Sequence, residues 1–515
     1  MPPDPKGPTG GQWPGRREIG IGVVLVGLAM LPFADLEVST RDPWLHVSRF
    51  LAGFLSPDFS SIKSIAWAVV YTVAFGLVGV FIGALAGLLL APVHHLRSVR
   101  ILASTLRAVH ELFWALLFLQ VFGPSAITGA LAIALPYSGI FAKVYSEMLE
   151  EADRRPDEVL PPGSGAVSRF IYARLPMALS PFRIYTRYRV ECGLRSSAVL
   201  GFVGLPTLGF ELDAFFKVGR YESVAAVLLI YYLMIATNRQ WLRPSLIPVF
   251  LVAALGLLIT LGGPPFRMEN LVRFLTEDIV PAPLRDASLL ASSTWVQFSG
   301  WLEALLSTQA LPGLWNTILV TQMALAVTMV VALLGFPLIV ARLVGKFPSA
   351  GGHLLLVVGR STPEYMLVYI FLQMLGPSML PAVIALGLHN GAIIAHLLGR
   401  QADALTPTLR PDAPGGFNLY VYEFVPRLYG NFLAYIFYRW EIILRESAIV
   451  GILGVHTLGF YIDGAITEIR LDRAVLLIAV TVLATFAVDA IARGLRRRFQ
   501  LSMNDLASRE GSAIY

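Results

Sequence analysis

The chain has 515 residues, 56% of them hydrophobic and only 14% charged, with a formal net charge of +6 and a mean hydropathy of +0.67. Soluble domains carry about 25% charged residues, so this composition excludes a string of soluble domains and places the chain in lipid. The positive balance does not point to nucleic acid, because the arginines flank apolar runs one or two at a time and form no long basic tract.

The single cysteine, Cys192, excludes an intrachain disulfide and a thiolate metal cluster. Long apolar runs, rather than short alternating segments, exclude a β-barrel and predict an all-α integral membrane protein. A Pro- and Gly-rich stretch, Met1 to Gly15, and the pair Arg16-Arg17 precede an apolar segment from Ile19 to Phe33. It is read as a retained helix and not as a cleaved signal peptide, because a matching span introduces the second half of the chain.

Apolar runs follow near 64–92, 102–121, 126–146, 177–203 and 223–241, and the series begins again near 245–263, 313–341, 354–375, 378–398, 428–455 and 474–492. That is about six candidate spans per half and about twelve in all by the usual length rule. The expected divisions are an N-terminal tail 1–18, a first repeat 19–243, a second repeat 244–499 and a C-terminal tail 500–515. Alternating spans collect Arg16, Arg17, Arg97, Arg100, Arg154, Arg155, Arg169, Arg174, Arg239 and Arg243 on one side, joined by Arg342, Lys346, Arg400, Arg410, Arg427 and Arg496 to Arg498. Positive charge marks the cytoplasmic side, which predicts that both termini lie there.

At the start of the third run of each half stand Arg107-Ala-Val-His110-Glu111 and Arg360-Ser-Thr-Pro363-Glu364, where base and acid are spaced for an i, i+4 ion pair. His110-Glu111 is half of a zinc-protease motif, but no second histidine follows at the required spacing. Between the fourth and fifth runs a polar segment carries Glu147, Glu150, Glu151, Asp153, Glu158 and Gly163 before Leu175-Pro176. Its counterpart carries Asp403, Thr408 and Gly415 before Val425-Pro426. Such segments suit partner docking, although a plain connection is the default. Gly345-Lys346 lacks the earlier glycine of a phosphate-binding loop, since Val340 stands in its place, so the chain carries no nucleotide site of that kind.

The fifth run is the most informative. Tyr188-Arg189-Val190-Glu191 recurs 250 residues later as Tyr438-Arg439-Trp440-Glu441, and at the same displacement Arg195, Ser197, Gly201, Gly204, Thr207, Gly209, Phe210 and Asp213 meet Arg445, Ser447, Gly451, Gly454, Thr457, Gly459, Phe460 and Asp463. Shared apolar composition does not reproduce charged residues and glycines in register, so the chain is a tandem duplication with both copies entering the membrane in one sense. Intramembrane charge is costly, which makes Arg189, Glu191, Arg195, Arg439, Glu441 and Arg445 candidates either for a solute path or for ion pairs locking the halves together. The glycines Gly201, Gly204, Gly451 and Gly454 favour close helix packing over a gate by about two to one.

Together the doubled Tyr-Arg-x-Glu-x-x-x-Arg-x-Ser-x-x-x-Gly-x-x-Gly run, the Arg-x-x-Pro-Glu signature and the loop leading to Leu-Pro resemble the permease subunit of phosphonate-type ABC importers. The resemblance implies alternating access in a bacterial inner membrane, two ABC ATPase subunits that bind ATP and Mg, and an extracytoplasmic solute-binding protein. It makes Glu150, Glu151, Asp153, Glu158, Gly163, Pro176, Asp403, Thr408 and Pro426 parts of ATPase-coupling loops, with Thr408 and Ala413 standing where the first loop has Glu158 and Gly163. The family's usual Gly-Gly is replaced here by Pro206-Thr207 and His456-Thr457, which leaves phosphonates, phosphite and other phosphorus oxyanions all within the implied solute range. An ion-coupled secondary transporter needs buried acids as ion ligands, whereas the clearest intramembrane acids here are spaced for arginine. A membrane-bound lipid enzyme needs a clustered nucleophile, base or metal set, and the eight histidines are scattered.

Overall fold

The computed structural model describes residues 13–499 except positions 154, 162, 286, 289 and 411. Residues 1–12 of the expected N-terminal tail and the whole expected tail 500–515 lie outside the described residues, as does the side chain of Glu158. Among the described residues every regular element is helical and no strand occurs. Hydrocarbon offers no water to the backbone, and a helix satisfies its N–H and C=O groups within one segment.

Among the described residues five helical stretches are long and apolar enough to cross a membrane: Ile62–Val93, Ala126–Glu151, Ser292–Ile339, Met379–Thr408 and Leu471–Arg498. Four more spans are helix pairs bent at a short break, which raises the number to nine if each pair is one span. About twelve were expected from the apolar runs. The difference lies in the runs near 19–34, 223–241 and 245–263, which fold as helices of 17, 16 and 14 residues, shorter than the roughly 20 residues a perpendicular crossing takes.

The bends fall in matched places. Arg97–Ala108 meets Glu111–Phe122 at 91°, and Lys346–Ser361 meets Glu364–Leu375 at 95°. In the first pair Val109 and His110 are extended, and the His110 ring accepts the Leu112 N–H at 3.2 Å to cap the new helix. In the second, Pro363 opens the new helix and keeps Thr362 extended. Arg107 and Glu111, like Arg360 and Glu364, therefore stand on either side of a sharp turn and not one turn apart on a single helix, as their spacing predicts.

Contacts gather the described residues into two compact units, 13–43 with 309–460 and 483–499, and 44–308 with 461–482. In the former, the Trp13–Ala29 helix packs on Leu311–Gly335, so tightly that a Cβ at Gly27 would lie 2.5 Å from that of Ala326. In the latter, Ile247–Thr260 packs on Ile62–Leu90.

At the centre of the 44–308 unit, Ile62–Leu90 packs along Ala126–Glu151. Gly79, Gly83 and Gly87 bring the helices together, and added Cβ atoms there would lie 2.7 Å from Ile133 Cβ, 2.8 Å from Tyr137 Cβ and 2.3 Å from Phe141 Cβ. The corresponding pair in the other unit, Leu311–Gly335 on Met379–Leu405, reverses the arrangement. There Gly387, Gly391 and Gly399 lie on the second helix, against Val327, Val331 and Ile339. Either way small residues let backbones approach where no hydrophobic drive acts between helices.

Outside the spans, Asp58 ties down the loop before Ile62. Its carboxylate accepts the Ser60 N–H at 2.8 Å, the Ser60 hydroxyl at 2.9 Å, Arg220 Nη2 at 2.5 Å and the Ser223 hydroxyl at 3.1 Å. The Ser60 N–H and hydroxyl, then Arg220, hold its carboxyl down to about 2.

Gly83→Val is expected to force the Ile62–Leu90 and Ala126–Glu151 helices apart and to destabilise the protein by about 1–3 kcal/mol, seen as a lowered unfolding midpoint in detergent. Because the folded-state carboxyl of Asp58 titrates below its ordinary 3.8, its contribution is fully present above that value and fades as pH falls toward about 2. Asp58→Asn should therefore lower the hydrogen-exchange protection of the Ser60 amide at neutral pH and abolish the loss of protection expected of the unsubstituted loop as pH falls over that window.

Candidate functional site

Two bent pairs, 250 residues apart, make matching 45° elbows, where Ala166–Val203 meets Leu208–Lys217 and where Gly416–Leu453 meets Leu458–Thr467. The chain reaches each elbow through a short 3-10 turn that closes on a left-handed glycine, Gly204 at φ +87° and Gly454 at φ +96°. An L side chain is strained there. Gly201 and Gly451 meet the need for space, since a Cβ would lie 2.0 Å from Phe210 N and 2.1 Å from Phe460 N.

A buried hydroxyl clamp holds each elbow. Ser197 Oγ donates to the Thr72 carbonyl at 2.6 Å, Thr72 Oγ1 accepts the Leu208 N–H at 3.0 Å, and Thr207 Oγ1 donates to the Ala198 carbonyl at 3.0 Å. In the other unit Ser447 Oγ meets Thr321 Oγ1 at 2.6 Å, Thr317 Oγ1 accepts the Leu458 N–H at 3.0 Å, and Thr457 donates to the Ala448 carbonyl at 3.0 Å. The structure thus places Ser197, Ser447, Gly201, Gly204, Gly451 and Gly454 in the elbows themselves. Thr72 and Thr317 were missed in the sequence, because a threonine in an apolar run gives no sign that it meets a backbone amide 136 or 141 residues away.

About three turns before each elbow's 3-10 turn lie the twin arginines, Arg189 and Arg439, in different company. Arg189 Nε donates to the Tyr185 hydroxyl at 2.7 Å, and its guanidinium carbon lies 5.9, 5.1 and 5.7 Å from the ring centres of Tyr137, Tyr185 and Tyr188. Tyr137 in turn reaches the Ser196 hydroxyl at 3.4 Å. Arg439 Nη1 instead donates to Asn390 Oδ1 at 3.2 Å, and Asn390 Nδ2 donates to the buried Glu446 carboxylate at 2.9 Å. Ser196 and Glu446 occupy matching places 250 residues apart, and Tyr137 and Asn390 match once the preceding Gly-Pro corners, Gly123-Pro124 and Gly376-Pro377, are aligned. The same three-way junction is therefore built from neutral, aromatic groups in one unit and from an amide and an acid in the other. Arg195 Nη2 contacts Cys192 Sγ at 3.5 Å, while Glu191, Glu441 and Arg445 lie on the same two long helices, half-buried.

The acids that open the bent helices each have a histidine. Glu111 Oε2 lies 3.6 Å from Nδ1 of its neighbour His110, and Glu364 Oε2 lies 3.6 Å from Nε2 of His389, whose Nδ1 meets the Gly359 carbonyl at 3.2 Å. Under the same alignment Pro363 stands where His110 does, and Pro136 stands where His389 does. The imidazole has changed its place in the chain while keeping its place beside the acid. Among the described residues no group of three or more His, Cys, Asp or Glu is placed to hold a metal ion.

The loop residues occupy connections between the long helices. Glu150 and Glu151 end the Ala126–Glu151 helix, and Asp153 accepts the Arg155 N–H at 3.0 Å and Nε at 2.7 Å ahead of the short helix Arg155–Val159 that carries Glu158. The Arg155 side chain, then its N–H, holds the Asp153 carboxyl below its ordinary value. Gly163 turns at φ +91°, and Pro176 sits in the first turn of Leu175–Val199. Beside this loop is a cleft of roughly 540 Å³ lined by His95, Glu150, Arg169, Phe170 and Arg174 among others.

In the second loop Asp403 lies near the end of Met379–Leu405, Thr408 Oγ1 closes a 3-10 turn on the Leu405 carbonyl at 2.7 Å, and Pro426 lies in the first turn of Val425–Ile449. The positive φ falls at Gly416 and not at Ala413, the residue in register with Gly163.

Comparison with known proteins agrees with a membrane transport chain. The phosphite transport system permease protein PtxC of Stutzerimonas stutzeri is 31% identical over 232 residues, 84% of its own length but 43% of this chain. The phosphate-import permease protein PhnE of Mycolicibacterium smegmatis is 23% identical over 490 residues, 88% of this chain and 89% of its own. The putative phosphite transport system permease protein HtxE of Stutzerimonas stutzeri is 33% identical over 133 residues, 26% of this chain and 51% of its own. No family model matches the chain, and no solved structure does. A relative that aligns nearly whole to less than half of the chain, beside one that aligns end to end, fits a permease written twice, and the chain belongs to the permease family of phosphite- and phosphonate-type ABC transport systems.

Proposed function

We propose that this chain supplies both transmembrane halves of an ATP-driven importer for a phosphonate or a related phosphorus oxyanion. The observation that carries the reading is the recurrence, 250 residues apart, of one hydroxyl-clamped elbow next to an arginine junction, in a chain whose relatives are transport permeases. The repeats are 19–243 and 244–499, each of about six spans, entering an inner membrane in parallel with both termini in the cytoplasm. A solute path runs along their shared axis and opens alternately to either side.

Two ABC ATPase subunits, holding ATP and Mg, dock on the loops 147–174 and 399–427, while an extracytoplasmic binding protein delivers the solute. The cleft beside the first loop supports this assignment. It offers an aromatic ring, an acid and two arginines on a connection between long helices, the kind of surface that takes a partner's side chain. Movement of either loop is transmitted along a helix that is continuous from Leu175 to Val199, or from Val425 to Ile449, into its clamped elbow.

Vesicles reconstituted with the chain, the ATPase and the binding protein should accumulate a phosphonate or phosphite only with ATP; accumulation without the ATPase refutes the reading. Glu158→Ala should impair solute-stimulated ATP hydrolysis more than Thr408→Ala, because Thr408 Oγ1 already bonds within its own turn. Equal defects in the two variants would count against unequal loops.

A further inference from the structure

The twin arginines share a Tyr-Arg-x-Glu context but differ in which guanidinium nitrogens are engaged and by what. Arg189 uses Nε on the Tyr185 hydroxyl and otherwise faces aromatic rings, and among the described residues neither of its Nη groups has an acceptor. The side chain is half-buried, and the adjacent Tyr188 is 47% exposed. A guanidinium lying against rings keeps its charge and its planar fork, and two open Nη groups match two oxygens of a tetrahedral oxyanion.

Arg439 is engaged. One Nη donates to Asn390, and the same amide holds the buried Glu446 carboxylate. An anion approaching there finds that guanidinium already committed to the Asn390 amide, which is itself held in place by Glu446. The chain has placed a carboxylate at Glu446 where the other copy has the hydroxyl of Ser196, so the difference lies in the residues themselves.

We infer that Arg189, within its cage of Tyr137, Tyr185 and Tyr188, is the residue that meets the phosphorus oxyanion in transit, and that Arg439 is a positioning residue fixed by Asn390 and Glu446. The inference rests on the importer reading above and deepens it, since it makes one repeat the anion-handling half and the other its brace. Glu446 then serves specificity twice, by anchoring the brace and by denying the second arginine to the solute.

The test compares Arg189→Gln with Arg439→Gln in the reconstituted complex of chain, ATPase and binding protein, using radiolabelled phosphite and methylphosphonate as probes. Solute uptake and binding-protein-stimulated ATP hydrolysis are measured together. Arg189→Gln should lower solute moved per ATP by about tenfold or more, the effect of losing a charge-assisted contact, with hydrolysis retained. Arg439→Gln should lower uptake and hydrolysis in parallel, leaving their ratio unchanged.

Arg189→Lys, measured alongside, keeps the charge needed for folding but loses the fork, and should show the same fall in the ratio. Unchanged ratios in both Arg189 variants, or an equal fall in Arg439→Gln, overturn the inference while the importer reading stands. An unsubstituted complex that moves neither probe overturns the importer reading itself.

Discussion

A bent helix in hydrocarbon must find partners for the backbone groups that the bend releases, and the rest of this structure depends on how it does so. At each elbow the first amide of the new helix, Leu208 or Leu458, has no carbonyl one turn back and takes a threonine hydroxyl from a different helix. That hydroxyl is itself anchored, Thr72 to the Ala68 carbonyl and Thr317 to the Gly313 carbonyl, each at 2.7 Å. The elbow is thus fixed to its neighbour by a chain of bonds that lipid cannot replace.

The position of the arginines follows from this constraint. They lie on the rigid approach to the elbow, where the helix axis is set by the clamp on one side and by packing on Ile62–Leu90 or Leu311–Gly335 along its length. A cation in such a place is tolerable only with partners built around it. The two copies have found different ones: a ring of tyrosines, or an amide backed by a carboxylate. Duplication within one chain makes that divergence available, because a residue in one copy can change while its twin stays fixed. Two separate copies of a single gene product would carry both changes at once.

Much of this was legible in the sequence and some of it was not. The doubled run from Tyr188 and from Tyr438, with its glycines in register, showed that one constrained segment occurs twice, because positions that need a left-handed φ or a missing Cβ admit few substitutes; its glycines read as close packing, and the elbow itself came only with the structure. The sharp turns before Glu111 and Glu364 were hidden: an apolar run reads as one span, and only Pro363 hints at a break. Compensated exchanges were hidden more deeply. Proline and histidine trade places between positions 110 and 363 and between 136 and 389. The glycine stripe moves from one helix of a packed pair to the other, against Ile133 in one unit and Val327 in the other. Aligned residue by residue these look like losses, since the conserved quantity is a contact and not a position.

The packed units do not follow the order of the chain. Trp13–Ala29 is the first helix in sequence, yet its glycines fit the surface of Leu311–Gly335; Ile247–Thr260 opens the second series of spans, yet it lies on Ile62–Leu90. Neither helix reaches the length of a full perpendicular crossing, and a short helix gains most by lying against a longer one that already spans. When each opening helix serves helices outside its own half of the sequence, cutting the chain between the halves would leave both without a surface that they now cover. Fusion into one chain therefore does more than fix stoichiometry. It also lets the two arginines keep different company, Arg189 among tyrosines and Arg439 on Asn390.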